Sequence, residues 1–237
     1  MASRNASFHE RGFAGSLLAP LKGFALCALM LFALMLAAWV VDWVMVFKVW
    51  PDGLARLQTI LSEDLHRATQ LGSGYSESPR FVTGMANLLY ELLFKVTSIH
   101  DMGARFGERA ALAIPDTIAR NTYIANFEAI QVAMVGTQLF GVRLATLLMA
   151  TPLFALGYCV ALADGLAQRA IRSVSGGRES ASLYHRAKHL QVVLLAVGGT
   201  ITLLLPASFD PLWISVPGVA ALAIFTRLQW SYYKKHL

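Results

Sequence analysis

The chain has 237 residues, of which 56% are hydrophobic and only 14% charged. A soluble domain of this size carries about 25% charged residues, so the composition excludes an ordinary water-soluble globule and indicates an integral membrane protein. The formal charge of +6 reads as a positive-inside signal rather than a nucleic-acid footprint, and no direct nucleic-acid binding is expected.

Residues 1–23 form a short basic N-terminus, with Arg4, Arg11 and Lys22 against Glu10. The first span is placed at 24–47. Its charge-free part, Phe24–Val41, reaches about 27 Å as a helix, close to the hydrocarbon thickness. A cleaved signal peptide has a shorter apolar core, about 7–15 residues, followed by a small-residue cleavage site. Here the run continues into Trp39, Trp43 and Trp50, an interfacial belt, which predicts an uncleaved anchor with the N-terminus inside. Asp42 is expected at the outer boundary, reaching headgroup water. Cys27 and Cys159 each fall inside an apolar run and are expected to act as small apolar groups, with no disulfide framework.

Residues 48–138 are the predicted extracytoplasmic segment, in which acids and bases nearly balance. Leu54, Leu57, Leu61, Leu65 and Ala68 share one face at helical spacing. Leu71–Ser76 breaks that pattern and Pro79 restarts it. Phe81–Ile99 is rich in apolar residues but too interrupted to span. It predicts a helix packed on its neighbours or lying in the interface plane, with Glu91 and Lys95 spaced for an i,i+4 pair. Pro115-Asp116 starts a helix predicted to run on through the second span, 139–163, with Arg143 snorkelling at the outer boundary and Pro152 kinking the helix without ending it.

Residues 164–189 are the one compact basic block: Arg169, Arg172, Arg178, Arg186 and Lys188 face only Asp164 and Glu179. A basic linker between two spans belongs on the cytoplasmic side. Gly176-Gly177 supplies the turn after a helix carrying Arg169 and Arg172, and a new helix is predicted from Arg178-Glu179-Ser180 into the third span at 190–205. Within it, Gly198-Gly199 predicts close helix packing. Asp210-Pro211 opens the fourth span, 212–230, with a kink at Pro217-Gly218, and Lys234 and Lys235 lie in the tail, 231–237. The predicted fold is an all-α integral membrane protein with four transmembrane helices, a helical extracytoplasmic segment between the first and second, and both termini in the cytoplasm.

Enzyme signatures are absent: there is no Walker A loop, no G-x-S-x-G and no H-E-x-x-H. His185 and His189 are four apart on a predicted helix, but a pair without a third ligand reads as interfacial histidines. No catalytic, metal or cofactor-binding residue is assigned. The basic block can serve as an orientation signal alone, bind anionic headgroups, or dock an acidic partner.

The run Arg178-Glu179-Ser180-Ala181-Ser182-Leu183-Tyr184-His185-Arg186-Ala187-Lys188, with Gly176-Gly177, Arg169 and Arg172 before it, is denser in specific polar types than orientation requires. It resembles the inner-membrane protein family, a domain of unknown function, of bacterial integrating conjugative elements. Members of that family are usually encoded beside the coupling ATPase of the transfer apparatus and share this layout of spans. The resemblance implies a non-enzymatic inner-membrane scaffold or accessory subunit of a conjugative, type IV secretion-like DNA-transfer system. It implies protein partners there, the coupling ATPase among them, and leaves a homo-oligomer open. Arg169, Arg172, Arg178, Glu179, Ser180, Tyr184, His185, Arg186 and Lys188 form the expected partner-docking loop. The alternative is a small membrane enzyme or lipid-headgroup-binding protein using the same Arg/His/Glu cluster.

Overall fold

The computed structural model describes residues 3–71, 78–102, 114–175 and 181–233, and every regular element among them is helical. Helix α1 spans Ser3–Val44 and closes with a π turn at Met45–Val49. Gly53, at φ 51°, occupies the left-handed region that favours glycine and turns the chain back into α2, Leu54–Leu71. Then follow α3, Ser78–Tyr90, with a π turn at Glu91–Lys95; α4, Ile114–Ala125; α5, Phe127–Val174; α6, Ala181–Leu204; and α7, Leu212–Ser231.

The apolar stripe of α2 is buried as its spacing predicts. Leu57, Ile60 and Ala68 are inside, Leu61 and Leu65 are half-buried, and Arg56 and Glu63 face out. Leu57 and Ile60 meet Val46 at the end of α1 and Val132 and Leu139 of α5. The segment at 81–99 is resolved between its two predicted alternatives: α3 packs on α5. Val82 and Ala86 join Val142 and Ala145 in one cluster. The backbones touch at Gly141, where a Cβ would stand 2.7 Å from Ala86 Cα. Glu91 and Lys95 form the expected ion pair, at 2.7 Å, which holds the Lys95 ammonium above its usual range. Desolvation likewise raises the Tyr90 phenol, so it stays protonated at neutral pH and shares a 2.6 Å hydrogen bond with His100 Nδ1.

The long helix predicted from about residue 116 differs in one way: it breaks at Asn126 (φ −112°, ψ 15°), separating α4 from α5. The helix carrying Arg169 and Arg172 is continuous with the second span and ends at Val174, just before Gly176-Gly177 in the sequence, so α5 has 48 residues. That is about 72 Å, more than twice the hydrocarbon thickness. Pro152 is carried inside it without ending it. Much of what reads as a basic loop is therefore the last turns of α5 and the first turns of α6.

Among the described residues, the three clusters of buried apolar side chains all use α5 between residues 132 and 145; the third adds Met35 and Ala38 of α1 and Leu203 of α6 around Phe140. The core thus sits at one end of the bundle, called the head here, with α2 and α3. At the other end, the base, α5 ends, α6 begins and α7 ends. There Gly165 lets α7 approach α5 closely: a Cβ would stand 2.9 Å from the Arg227 carbonyl oxygen.

Among the described residues, four helices are long and apolar enough to cross a membrane: Lys22–Val49, Phe127–Val174, Ser182–Leu204 and Leu212–Ser231. They leave Leu29, Val160, Val193 and Ile224 exposed, as a lipid-facing surface requires. The third apolar helix starts at Ser182, so the flank carrying Tyr184 to His189 supplies the length that the 190–205 run lacks. Gly198 and Gly199 correct the expectation placed on them. No atom lies within 4 Å of a Cβ built at either. Instead they line an apolar crevice of about 640 Å³ with Thr151 and Phe154 of α5 and Trp213 and Pro217 of α7. A buried bond from Gln191 Nε2 to Thr226 Oγ1, at 3.0 Å, holds α6 to α7. Cys27 and Cys159 are free and exposed on α1 and α5.

Candidate functional site

Polar side chains gather at both ends of the bundle, in opposite ways. At the head, Arg143 of α5 is 4% exposed. Its Nε donates to Asp64 Oδ2 of α2 at 2.9 Å. Its Nη1 donates to the Leu205 carbonyl at 2.6 Å and its Nη2 to the Ala207 carbonyl at 3.0 Å. Ser208 Oγ donates to Asp64 Oδ1 at 2.5 Å, and the guanidinium lies 5.8 Å from the Phe209 ring. One arginine thus joins α5, α2 and the turn after α6, and occupies carbonyls that the end of α6 leaves open.

The expectation that Arg143 snorkels to interfacial water is therefore not met, because α2 and the α6–α7 turn cover it. The sequence held a signal that local reading passed over. Asp64 falls on the same stripe as Leu57, Ile60 and Ala68, and Arg143 falls inside an apolar run. Two opposite charges on buried faces require a partner. Asp42 is a second correction. It is 5% exposed, wedged against Gly136, where a Cβ would stand 2.7 Å from its Oδ2. Beside it, Trp39 Nε1 donates to Thr137 Oγ1 at 3.0 Å. The close approach of α1 and α5 takes Asp42 away from water.

At the base, the residues expected to form the docking loop divide. Arg178, Glu179 and Ser180, with Gly176-Gly177, lie outside the described residues. His185, Arg186, Lys188 and His189 are exposed on the first turns of α6. Arg169, Arg172 and Tyr184 turn inward and come together with the end of α7. The Arg172 guanidinium lies 4.0 Å above the Tyr232 ring, and that of Arg169 lies 5.5 Å from Tyr233. Tyr233 also meets Tyr184 at 5.6 Å and Trp230 at 5.5 Å between ring centroids. Trp230 Nε1 reaches Tyr158 OH at 3.4 Å. Tyr232, Tyr233 and Trp230 are thus part of the site, brought to it by the end of α7.

Asp164, expected to face the loop arginines, instead pairs with Arg227 of α7 at 2.5 Å. The pair bridges α5 and α7 beside Gly165. Arg172 Nη1 is buried with no hydrogen-bond acceptor among the described residues. What the base presents, then, is cations held on aromatic faces below an exposed basic helix face, an arrangement suited to binding anions.

A protein-family model described as IncC plasmid conjugative DNA transfer protein DtrJ-like matches residues 49–234, from the end of α1 through α7, and so includes both polar ends. The match agrees with the conjugative resemblance carried by the basic block, and it names a plasmid system rather than an integrating element. No curated protein and no solved structure matches the chain.

Proposed function

The chain belongs to the DtrJ-like family of plasmid conjugative DNA transfer proteins, and from that premise we propose that it is a non-enzymatic inner-membrane scaffold of the transfer apparatus. Both termini and the base are cytoplasmic; the head, with α2, α3 and α4, is extracytoplasmic and meets other envelope components. The exposed basic face that carries Arg186 and Lys188, together with Arg178 shortly before it in the sequence, docks an acidic surface of a cytoplasmic partner. The coupling ATPase is that partner by the resemblance of the block.

The observation that carries this reading is α5. One unbroken helix is clasped by α2 and α3 in its first part and ends among the arginines of the base. A rod built in this way couples the two sides of a membrane without moving parts. Charge complementarity at its basic end governs which partner docks and how fast.

The test is a mating assay with Arg178→Ala combined with Arg186→Ala, read beside blots of the membrane fraction. Transfer is lost while the protein accumulates, because Arg169, Arg172 and Lys188 still mark the inside. Normal transfer frequency would reduce these arginines to an orientation signal. Loss of transfer on Glu179→Gln or His185→Ala alone would favour an enzyme. The orientation has its own readout: a membrane-impermeant thiol reagent applied from the periplasm labels a cysteine placed at Gly74 and not one at Gly177.

A further inference from the structure

Arg169 and Arg172 lie three residues apart on α5 and so point from one helix face. Each guanidinium lies over a tyrosine ring and, among the described residues, pairs with no carboxylate. A cation held by a ring's π face spends none of its N–H donors on that contact. The nearest acid along the helix, Asp164, is taken by Arg227. Arg172 Nη1 is already out of water and has no acceptor among the described residues. A buried charged donor in that state is unfavourable until an acceptor arrives.

Several features identify the acceptor. The pair of planar donor forks suits an anion with several oxygens, as phosphate has. Among the described residues no acid pairs with either cation, which favours a ligand with net negative charge. Around them stand Trp230, Tyr184, Tyr232 and Tyr233, the amphipathic rings of a membrane–water boundary. Arg169 is one helical turn beyond Gly165, where α5 and α7 touch, so the cations sit where the apolar helices end. A soluble acidic partner would meet Arg186 and Lys188 first, since those are exposed while Arg169 and Arg172 are half-buried.

We infer that Arg169 and Arg172, seated on Tyr233 and Tyr232, form a phosphate site that holds the headgroup of an anionic phospholipid at the base of the bundle. The bound lipid fastens α5 to the end of α7 and leaves the exposed face of α6 for the protein partner. The site rests on the reading that the four apolar helices cross a bilayer. Alkaline carbonate extraction of the host membranes tests that reading separately: release of the protein would overturn both, whereas retention leaves the lipid site to be judged alone.

The experiment uses the full chain, extracted from bilayers of phosphatidylcholine containing about one-fifth phosphatidylglycerol, with retained lipid measured by native mass spectrometry. The wild-type chain keeps phosphatidylglycerol in preference to phosphatidylcholine. Arg169→Gln with Arg172→Gln lowers that preference roughly tenfold, the loss of about 1.4 kcal/mol of binding. Arg172→Lys, which keeps the charge, lowers it several-fold, because an ammonium supplies no planar fork. Arg172→Lys also serves if the double variant fails to fold. Arg186→Gln leaves the preference unchanged. An unchanged preference in the arginine variants would overturn the site, as would an equal loss on Arg186→Gln, which would mean diffuse charge. Displacement of the lipid by millimolar inorganic phosphate would overturn the lipid source and leave a free-phosphate site. Capture of an acidic peptide in place of lipid by the same two arginines would make them a protein contact.

Discussion

The head and the base of this bundle use the same residue type to opposite ends. At the head, Arg143 is buried and directs donors to one carboxylate and two carbonyls, all within the chain. At the base, Arg169 and Arg172 are held by tyrosine faces, and a buried donor of Arg172 has no acceptor among the described residues. The difference teaches where to look for binding in a membrane protein. A charge whose hydrogen bonds close internally is architecture. A charge positioned with care but left with open donors faces outward chemically, whatever its exposure.

The contrast breaks most sharply at the head. Arg143→Ala strands Asp64 in a buried site, and the loss is about 3–5 kcal/mol, visible as a collapse of the detergent melting temperature and of accumulation in membranes. Replacing both partners, Arg143→Met with Asp64→Leu, restores most of that stability, because no charge is left unpaired. A double variant as weak as the single would mean that the bonds to Leu205 and Ala207, rather than the ion pair, hold the head together.

A smaller effect tests whether α3 belongs to the head as tightly as α2 does. Gly141→Leu drives a side chain into the backbone at Ala86 and destabilises by about 1–3 kcal/mol, with faster proteolysis confined to 78–95. Unchanged protease resistance would show that α3 can shift on α5 at little cost.

The base responds far less. Arg169→Gln with Arg172→Gln removes two half-exposed stacks and lowers stability by about 1 kcal/mol in detergent free of anionic lipid. A collapse comparable to Arg143→Ala would erase the distinction drawn between the two ends. Smallest of all, Cys27→Ala with Cys159→Ala stays within about 0.5 kcal/mol, since both thiols are free and lie on exposed faces. A large change in melting or in transfer frequency would reveal a thiol role.

Much of the architecture is local and was legible without coordinates. The apolar runs that became α1, α6 and α7, the buried stripe of α2, and the Glu91–Lys95 pair all follow from patterns within a few turns of chain. So does the cap at Asp210, whose Oδ1 accepts from the Leu212 amide at 2.9 Å. A helix makes its hydrogen bonds within itself, and an apolar run of sufficient length has few alternatives in lipid. These choices therefore need no partner from elsewhere in the chain.

Only the tertiary structure decided what the polar residues do. Asp64 and Arg143 are 79 positions apart, and Arg143 meets Leu205 across another 62, so no periodicity links them. Asp42 was withdrawn from water by the close crossing of α1 and α5 at Gly136, and Gly198-Gly199 proved to border a crevice rather than a contact. Arg172 found Tyr232 because α5 ran on past residue 163 to meet the end of α7. Sequence by itself determined which segments are helical and apolar, because those properties are settled over a few residues. Which charge is buried, paired or left open depends on which helix comes to cover it, and that is settled only when the helices meet.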